Sequence, residues 1–234
     1  MSSSANIYNV VIFGDPGVGK TCFIDQFCYG RSFVIYDPDK SDLSHKILVD
    51  GQVSLLTLMD LSTSFLKPKQ GVRHIQWAED IFAKAQGIVL LYDVTSLESF
   101  QYITDQAFKF LWSCRRLKFE VDEEADEGGR EDFGCVLAGN KLDLTTVGSG
   151  SREVSQSLAE DWAQTQRIRS IELDSLERGG PGDALKLLVR NIRKMERLER
   201  LNSNRDDEQE RDAQEKKKRS IRNTFRDVFK SPRT

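Results

Sequence analysis

The run Gly14-Asp15-Pro16-Gly17-Val18-Gly19-Lys20-Thr21 keeps the spacing G-x-x-x-x-G-K-[ST] without a break. Glycines at those positions let successive backbone N–H groups converge on an anion at the start of a helix. Lys20 can then reach the β- and γ-oxygens of a nucleotide, and the Thr21 hydroxyl can ligate Mg2+. Cys22 follows directly and is counted with the same phosphate-facing turn. The alternative is a Gly-rich turn formed by chance, and the position between an apolar strand and a helical pattern speaks against it. A second group, Asn140-Lys141-Leu142-Asp143, closes the apolar run Cys135–Gly139. A carboxylate at Asp143 can accept two N–H donors at once, matching N1–H and the 2-amino group of guanine, whereas adenine lacks that pair. Alone, these four residues are an ordinary polar strand end. An upstream phosphate loop at this separation gives both groups one purpose.

Strands and helices must hold these groups. Ile7–Phe13 is short and almost wholly apolar, as a strand buried on both faces of a parallel sheet must be. Ser44–Val49 and Val53–Met59 flank Asp50-Gly51, a dipeptide that favours a two-residue hairpin turn. Gly87–Val94, Gly134–Gly139 and Arg169–Leu173 read as further buried strands. Thr95 and Glu98 have capping-box spacing ahead of a helix over Ser96–Leu117, and Ser155 can cap Gln156–Thr165. Asp183–Leu201 repeats Leu185, Leu188, Val189, Ile192 and Met195 at helical spacing. Strands alternating with helices predict a doubly wound α/β sheet. The domain is expected over 7–200, after a tail at 1–6 and before a charged extension at 201–234.

Composition narrows the function classes. Of 234 residues, 30% are charged and 38% hydrophobic, against about 25% charged in an average soluble protein, so part of the chain should lie outside any core. Ile88–Tyr92, among the longest apolar runs, is far shorter than the roughly 20 residues that cross a bilayer. Met1–Asn6 has neither a basic nor an apolar stretch of the secretory kind. Cys22, Cys28, Cys114 and Cys135 lack CxxC spacing and read as reduced thiols, mostly buried; with only His45 and His74, a His-based metal cluster is not expected. The net charge of −3 hides two opposed segments. Glu120–Asp132 carries eight acids against one Arg, and Lys216–Thr234 eight bases against one Asp.

With these motifs in place, the chain resembles the Ras-like small GTPases over most of Ile7–Arg200. The resemblance implies a P-loop NTPase α/β fold, a mostly parallel six-stranded sheet flanked by helices, followed by the charged helical or disordered extension. Further matches are Tyr36-Asp37-Pro38 in the first switch region, Leu55-Leu56-Thr57-Leu58-Met59-Asp60, and Asp93-Val94-Thr95-Ser96-Leu97-Glu98-Ser99-Phe100. The resemblance implies that Gly14 through Cys22 hold the phosphates and that Thr21 and Asp60 hold Mg2+. It places Phe33 against the base, with a core Phe as the alternative, and assigns base contacts to Asn140, Lys141, Asp143 and Ser175. Several positions depart from the family pattern. Asp39 stands where the family has a Thr that senses the γ-phosphate, with Ser41 as a substitute only in a reshaped loop. Thr63 replaces a Gly whose N–H meets the γ-phosphate, and Ser64 replaces a water-orienting Gln. Pro16 removes one N–H donor from the phosphate loop. Asp174-Ser175-Leu176 stands for the usual Ser-Ala-Lys, and Asp60–Gly87 is several residues longer than usual.

Binding should therefore survive better than hydrolysis, in which Lys20 and Ser64 would be the catalytic groups. The resemblance implies a signalling switch that binds Mg-GTP and GDP and hydrolyses GTP slowly. A pseudo-GTPase scaffold that holds guanine nucleotide without turnover is the rival, and an ATP-using kinase would leave Asn140–Asp143 unexplained. Effector and regulator proteins are the implied partners; nucleic acid is not expected. The acidic insertion at 120–133 reads as a solvated loop or as a dock for a basic partner. In 216–234, Ile221, Phe225, Val228 and Phe229 share one helical face among Lys216–Arg219, Arg222, Arg226 and Lys230. Three readings stay open: an anionic membrane surface or acidic partner, nuclear import, and a solubilising tail. The last cysteine is Cys135 and Met1 is followed by Ser2, so neither a prenyl nor a myristoyl anchor is expected. The expected location is cytoplasmic, peripheral on the plasma membrane if the tail binds lipid, or nuclear.

Overall fold

The computed structural model describes residues 6–30, 44–66, 72–119, 133–146, 151–177 and 179–201. Phe33, Tyr36–Ser41, 120–132 and 216–234 lie outside the described residues, and so do the expectations attached to them. The chain divides into two units, Met1–Ile192 and Arg193–Thr234. In the second, the described residues 193–201 are helical.

The first unit is an α/β sandwich. Its strands are β1 (Asn6–Gly14), β2 (Ser44–Val49), β3 (Gln52–Ser62), β4 (Gly87–Asp93), β5 (Gly134–Asn140) and β6 (Arg169–Glu172). They form one sheet in the order β2-β3-β1-β4-β5-β6, with β2–β3 antiparallel and the other pairs parallel. The helices are α1 (Lys20–Tyr29), α2 (Val72–Lys84), α3 (Leu97–Tyr102), α4 (Phe108–Phe119), the short α5 (Asp143–Thr146), α6 (Gln156–Thr165) and α7, which covers 180–192 of this unit. Every residue of β4 and β5 is buried, as strands covered by helices on both faces must be. Side chains alternate across the sheet and so build two cores. Val11, Phe13, Leu90 and Tyr92 meet Phe82 and Leu111 on one face; Val10, Ile12, Leu91 and Val136 meet Phe23, Leu185 and Leu188 on the other.

The expected mostly parallel six-stranded sheet is found, with three local differences. β3 does not stop at Met59 but runs to Ser62, because its backbone stays in register with β1 out to Gly14↔Ser62. The expected capping box at Thr95 and Glu98 is not formed. Ser96 is the N-cap and accepts from Ser99 N at 3.2 Å, while Thr95 donates both N–H and Oγ1–H to Asp93 Oδ1. The single helix expected over Ser96–Leu117 is interrupted by one π-helical turn at Ile103–Ala107. Ser155 caps α6 as expected, accepting from Leu158 N at 3.2 Å. Asp50 and Gly51 form the hairpin turn with φ of 49° and 76°, the left-handed values such a turn requires. All four cysteines are free; Cys114 and Cys135 are buried, Cys22 and Cys28 half-buried.

Candidate functional site

Parallel strands send their loops out at the same edge, and in open α/β sheets ligands sit beyond those carboxyl ends. The loops after β1, β3, β4, β5 and β6 carry the predicted residues to one such edge. The phosphate loop leaves β1 at Gly14 and enters α1 at Lys20. Gly17 and Gly19 have φ of 83° and 99°, conformations that L side chains rarely adopt. Gly19 is excluded from substitution twice over, since a Cβ there would lie 2.4 Å from Asn140 Nδ2. This close approach lets β5 reach across to the loop. Asn140 is 2% exposed and donates from Nδ2 to Val18 O at 2.8 Å. Its Oδ1 accepts from Ser175 N at 3.0 Å and Ser175 Oγ at 2.8 Å. One buried amide thus joins the phosphate loop, β5 and the loop after β6.

Lys20 is buried and donates to Asp15 O at 3.0 Å, with Asp60 Oδ1 3.8 Å away. Burial holds its pKa below the usual lysine value, opposed by the charges of Asp60 and Asp15. Thr21 Oγ1 donates to Asp60 Oδ2 at 2.8 Å. A hydroxyl and a carboxylate side by side are hard oxygen donors. Among the described residues no group of three or more His, Cys, Asp or Glu could hold a metal. Mg2+ fits this sparse set, because it takes one or two protein oxygens and completes its shell with phosphate and water.

Beyond the end of β5, Asp143 opens α5 two residues after Lys141, which adopts a φ of 66°. A cavity of about 390 Å³ opens beside Asp143, lined also by Leu142, Ile171, Glu172, Leu173, Asp174 and Glu177. Lys141 Nζ lies 2.6 Å from Asp93 Oδ2, and Asp93 also fixes Thr95. Arg152 braces the far side, with Nη1 and Nη2 donating to Glu172 Oε1 and Oε2 at 2.6 and 2.9 Å.

The segment that follows Asp60 begins as an extension of the sheet, with Ser62 still paired to Gly14. Thr63 is fully buried, and its Oγ1 donates to Asp15 Oδ1 at 2.6 Å. Ser64 Oγ lies 2.8 Å from Ser62 Oγ, and Ser64 N donates to Ser62 Oγ at 3.2 Å. Phe65 turns into the core against Phe13, ring centroids 6.0 Å apart. The structure therefore brings Gly14–Cys22, Asp60, Thr63, Ser64, Asn140, Lys141, Asp143 and Ser175 to one edge of the sheet, on strand ends, helix starts and the loops between them. Three roles escaped the sequence reading: Asp93 as the partner of Lys141, the side chain of Asp15 as the partner of Thr63, and Asn140 as the brace between Val18 and Ser175. Asp15 and Thr63 are 48 residues apart, and no spacing rule connects them.

The comparisons agree with this geometry. The chain is 28% identical over 182 residues to NF-kappa-B inhibitor-interacting Ras-like protein 1 of Mus musculus, covering 72% of this chain and 77% of that protein. It is 28% identical over 188 residues to Ras-like protein 2 of Mucor circinelloides f. lusitanicus, covering 80% and 82%. The model of the Ras family matches residues 9–194, from the first strand through the last helix of the fold. A match of that extent shows that the chain belongs to the Ras family of small GTPases, whose members act as signalling switches.

Proposed function

We propose that the protein binds Mg-GTP and GDP, hydrolyses GTP slowly, and relays the bound state to effector and regulator proteins. Family membership supports guanine-nucleotide binding. In this reading Gly14, Asp15, Pro16, Gly17, Val18, Gly19 and Cys22 surround the phosphates, with Lys20 neutralising their charge. Thr21 and Asp60 hold Mg2+, which screens the phosphate oxygens and orients them. Asp143 selects guanine through two acceptor oxygens, while Asn140, Lys141 and Ser175 position the loops around the base. Phe33 would cover the base from outside the described residues. The name of the mouse relative describes a protein partner, which supports protein rather than nucleic-acid partners here. The cytoplasmic face of a membrane is the proposed location, through the basic residues of 216–234.

Slow turnover is carried by one observation: the hydroxyl of Ser64 is engaged with Ser62 at 2.8 Å and ends one carbon from the backbone. It cannot reach and orient a water at the γ-phosphate as a longer amide can. The same observation favours the second reading, a pseudo-GTPase scaffold. Single-turnover hydrolysis of preloaded GTP separates the two. A measurable rate that rises in Ser64→Gln supports a weak enzyme, and no turnover in either protein supports the scaffold. A wild-type rate equal to that of a Ras-like protein with Gln at this position refutes the account of Ser64.

A further inference from the structure

We propose that Asp15 and Thr63 form a latch that takes the place of a γ-phosphate contact, so that Asp60–Leu66 keeps one arrangement with a nucleoside diphosphate or a triphosphate bound. The proposal rests on the guanine-nucleotide reading of the site and specifies how that site discriminates. It begins with the sheet. β1 and β3 end side by side at Gly14↔Ser62, so the residues that follow, Asp15 and Thr63, are held together beside the phosphate loop. The Asp15 carboxylate accepts from Thr63 at 2.6 Å while the Asp15 carbonyl accepts from Lys20 at 3.0 Å. Asp15 therefore ties Thr63 to Lys20, the residue that would face the phosphates.

The neighbouring residues are held by protein groups as well. Asp60 is bound by Thr21, Leu61 is 3% exposed, Ser62 and Ser64 bond to each other, and Phe65 is 6% exposed in the core. In a switch that responds to its ligand, the phosphate supplies the contacts that order the loop. A ligand moves such an equilibrium only through different affinities for its two states, and equal affinity shifts nothing. Here a charge-assisted hydrogen bond inside the protein already supplies the ordering contact, so the third phosphate has little left to order. Asp15 also sets a negative charge on the loop that holds the phosphates, which opposes each added phosphate charge. Both effects make GDP at least as good a ligand as GTP, and both leave the Asp60–Leu66 surface the same for partners in either state, so the relay of the bound state falls to surfaces outside 60–66.

The test uses the full chain, stripped of nucleotide and titrated by calorimetry with GDP and with GTPγS, with hydrogen exchange followed over 60–66. The expected result is a GTPγS affinity within about threefold of that for GDP, or weaker, and equal protection of 60–66 in both complexes. Thr63→Val keeps the buried volume and removes the donor; exchange over 60–66 in the GDP complex should rise at least about tenfold and become dependent on the nucleotide. Should that variant fail to fold, Asp15→Asn keeps an acceptor and removes the charge. It should lower protection of 60–66 only in part, because a neutral hydrogen bond remains, yet shift the GTPγS-to-GDP ratio toward GTPγS, which a merely structural role would leave unchanged. Stronger protection with GTPγS than with GDP in the wild type, or unchanged exchange in Thr63→Val, overturns the latch. Binding of neither nucleotide overturns the nucleotide reading and the latch with it, and is recognised by the lack of heat in both titrations.

Discussion

Asn140→Ala should cost this protein a large part of its folding stability before any nucleotide is considered. The side chain makes three hydrogen bonds, one to Val18 O and two from Ser175, and sits at 2% exposure. Truncation leaves the Val18 carbonyl and the Ser175 N–H buried without their partner, while the Ser175 hydroxyl can rotate. Two orphaned buried groups at about 1–3 kcal/mol each give a loss of about 2–6 kcal/mol. Set against the 5–15 kcal/mol or so that holds a typical domain, this is a large fraction. Ser175→Ala removes one donor and leaves the backbone N–H bonded to Asn140 Oδ1, so it should cost only about 0.5–1.5 kcal/mol. In the double variant the Ser175 hydroxyl has no Asn140 to lose. The double variant should therefore match Asn140→Ala alone, with a coupling of about 1 kcal/mol. Urea unfolding of the full chain without nucleotide reads all three, and the Asn140→Ala midpoint should fall by about 1 M or more. A loss below about 1 kcal/mol in Asn140→Ala, or strict additivity in the cycle, would refute the brace and leave Asn140 to the base alone.

Asp143→Asn should move preference from guanine toward xanthine nucleotides, because a 2-oxo group needs a donor where the carboxylate offered an acceptor; paired titrations should show a shift of up to about 10⁴. Lys20 must be protonated to neutralise phosphate, and burial depresses its pKa in the free protein. Nucleotide affinity should accordingly weaken as pH rises through the alkaline range below 10.5, and binding there should take up protons from the buffer. For folding the sign is the reverse: a depressed pKa destabilises the native state while the lysine is protonated, and that penalty lifts as pH rises through the same range. The Cys28 thiol is pushed up to about 12 by burial and by Asp25, so iodoacetamide at pH 8 should modify it far more slowly than a free cysteine. Rapid labelling of Cys28 in the folded protein would contradict the raised pKa of this half-buried thiol.

The phosphate loop and Asn140–Asp143 were legible in the sequence because each is contiguous, and contiguous residues share a turn whatever surrounds them. Strands β4 and β5 were legible for a related reason: burial on both faces leaves unbroken apolar runs, and few other elements read that way. The Asp50-Gly51 turn likewise declares itself through the left-handed φ values that few other dipeptides accept. Pairings between distant segments were not legible. Thr63 finds Asp15, Lys141 finds Asp93 and Asn140 finds Val18 only after strands from different parts of the chain are set in register. The last three residues of β3 depend on the backbone of β1 lying alongside them, and the choice of Ser96 over Thr95 as cap follows from Asp93 engaging Thr95 first. Local chemistry thus decided which groups can hold phosphate and base. Strand register decided which hydrogen-bond donors and acceptors those groups meet, because a hydrogen bond is made within about 3 Å and sequence separation carries no information at that scale.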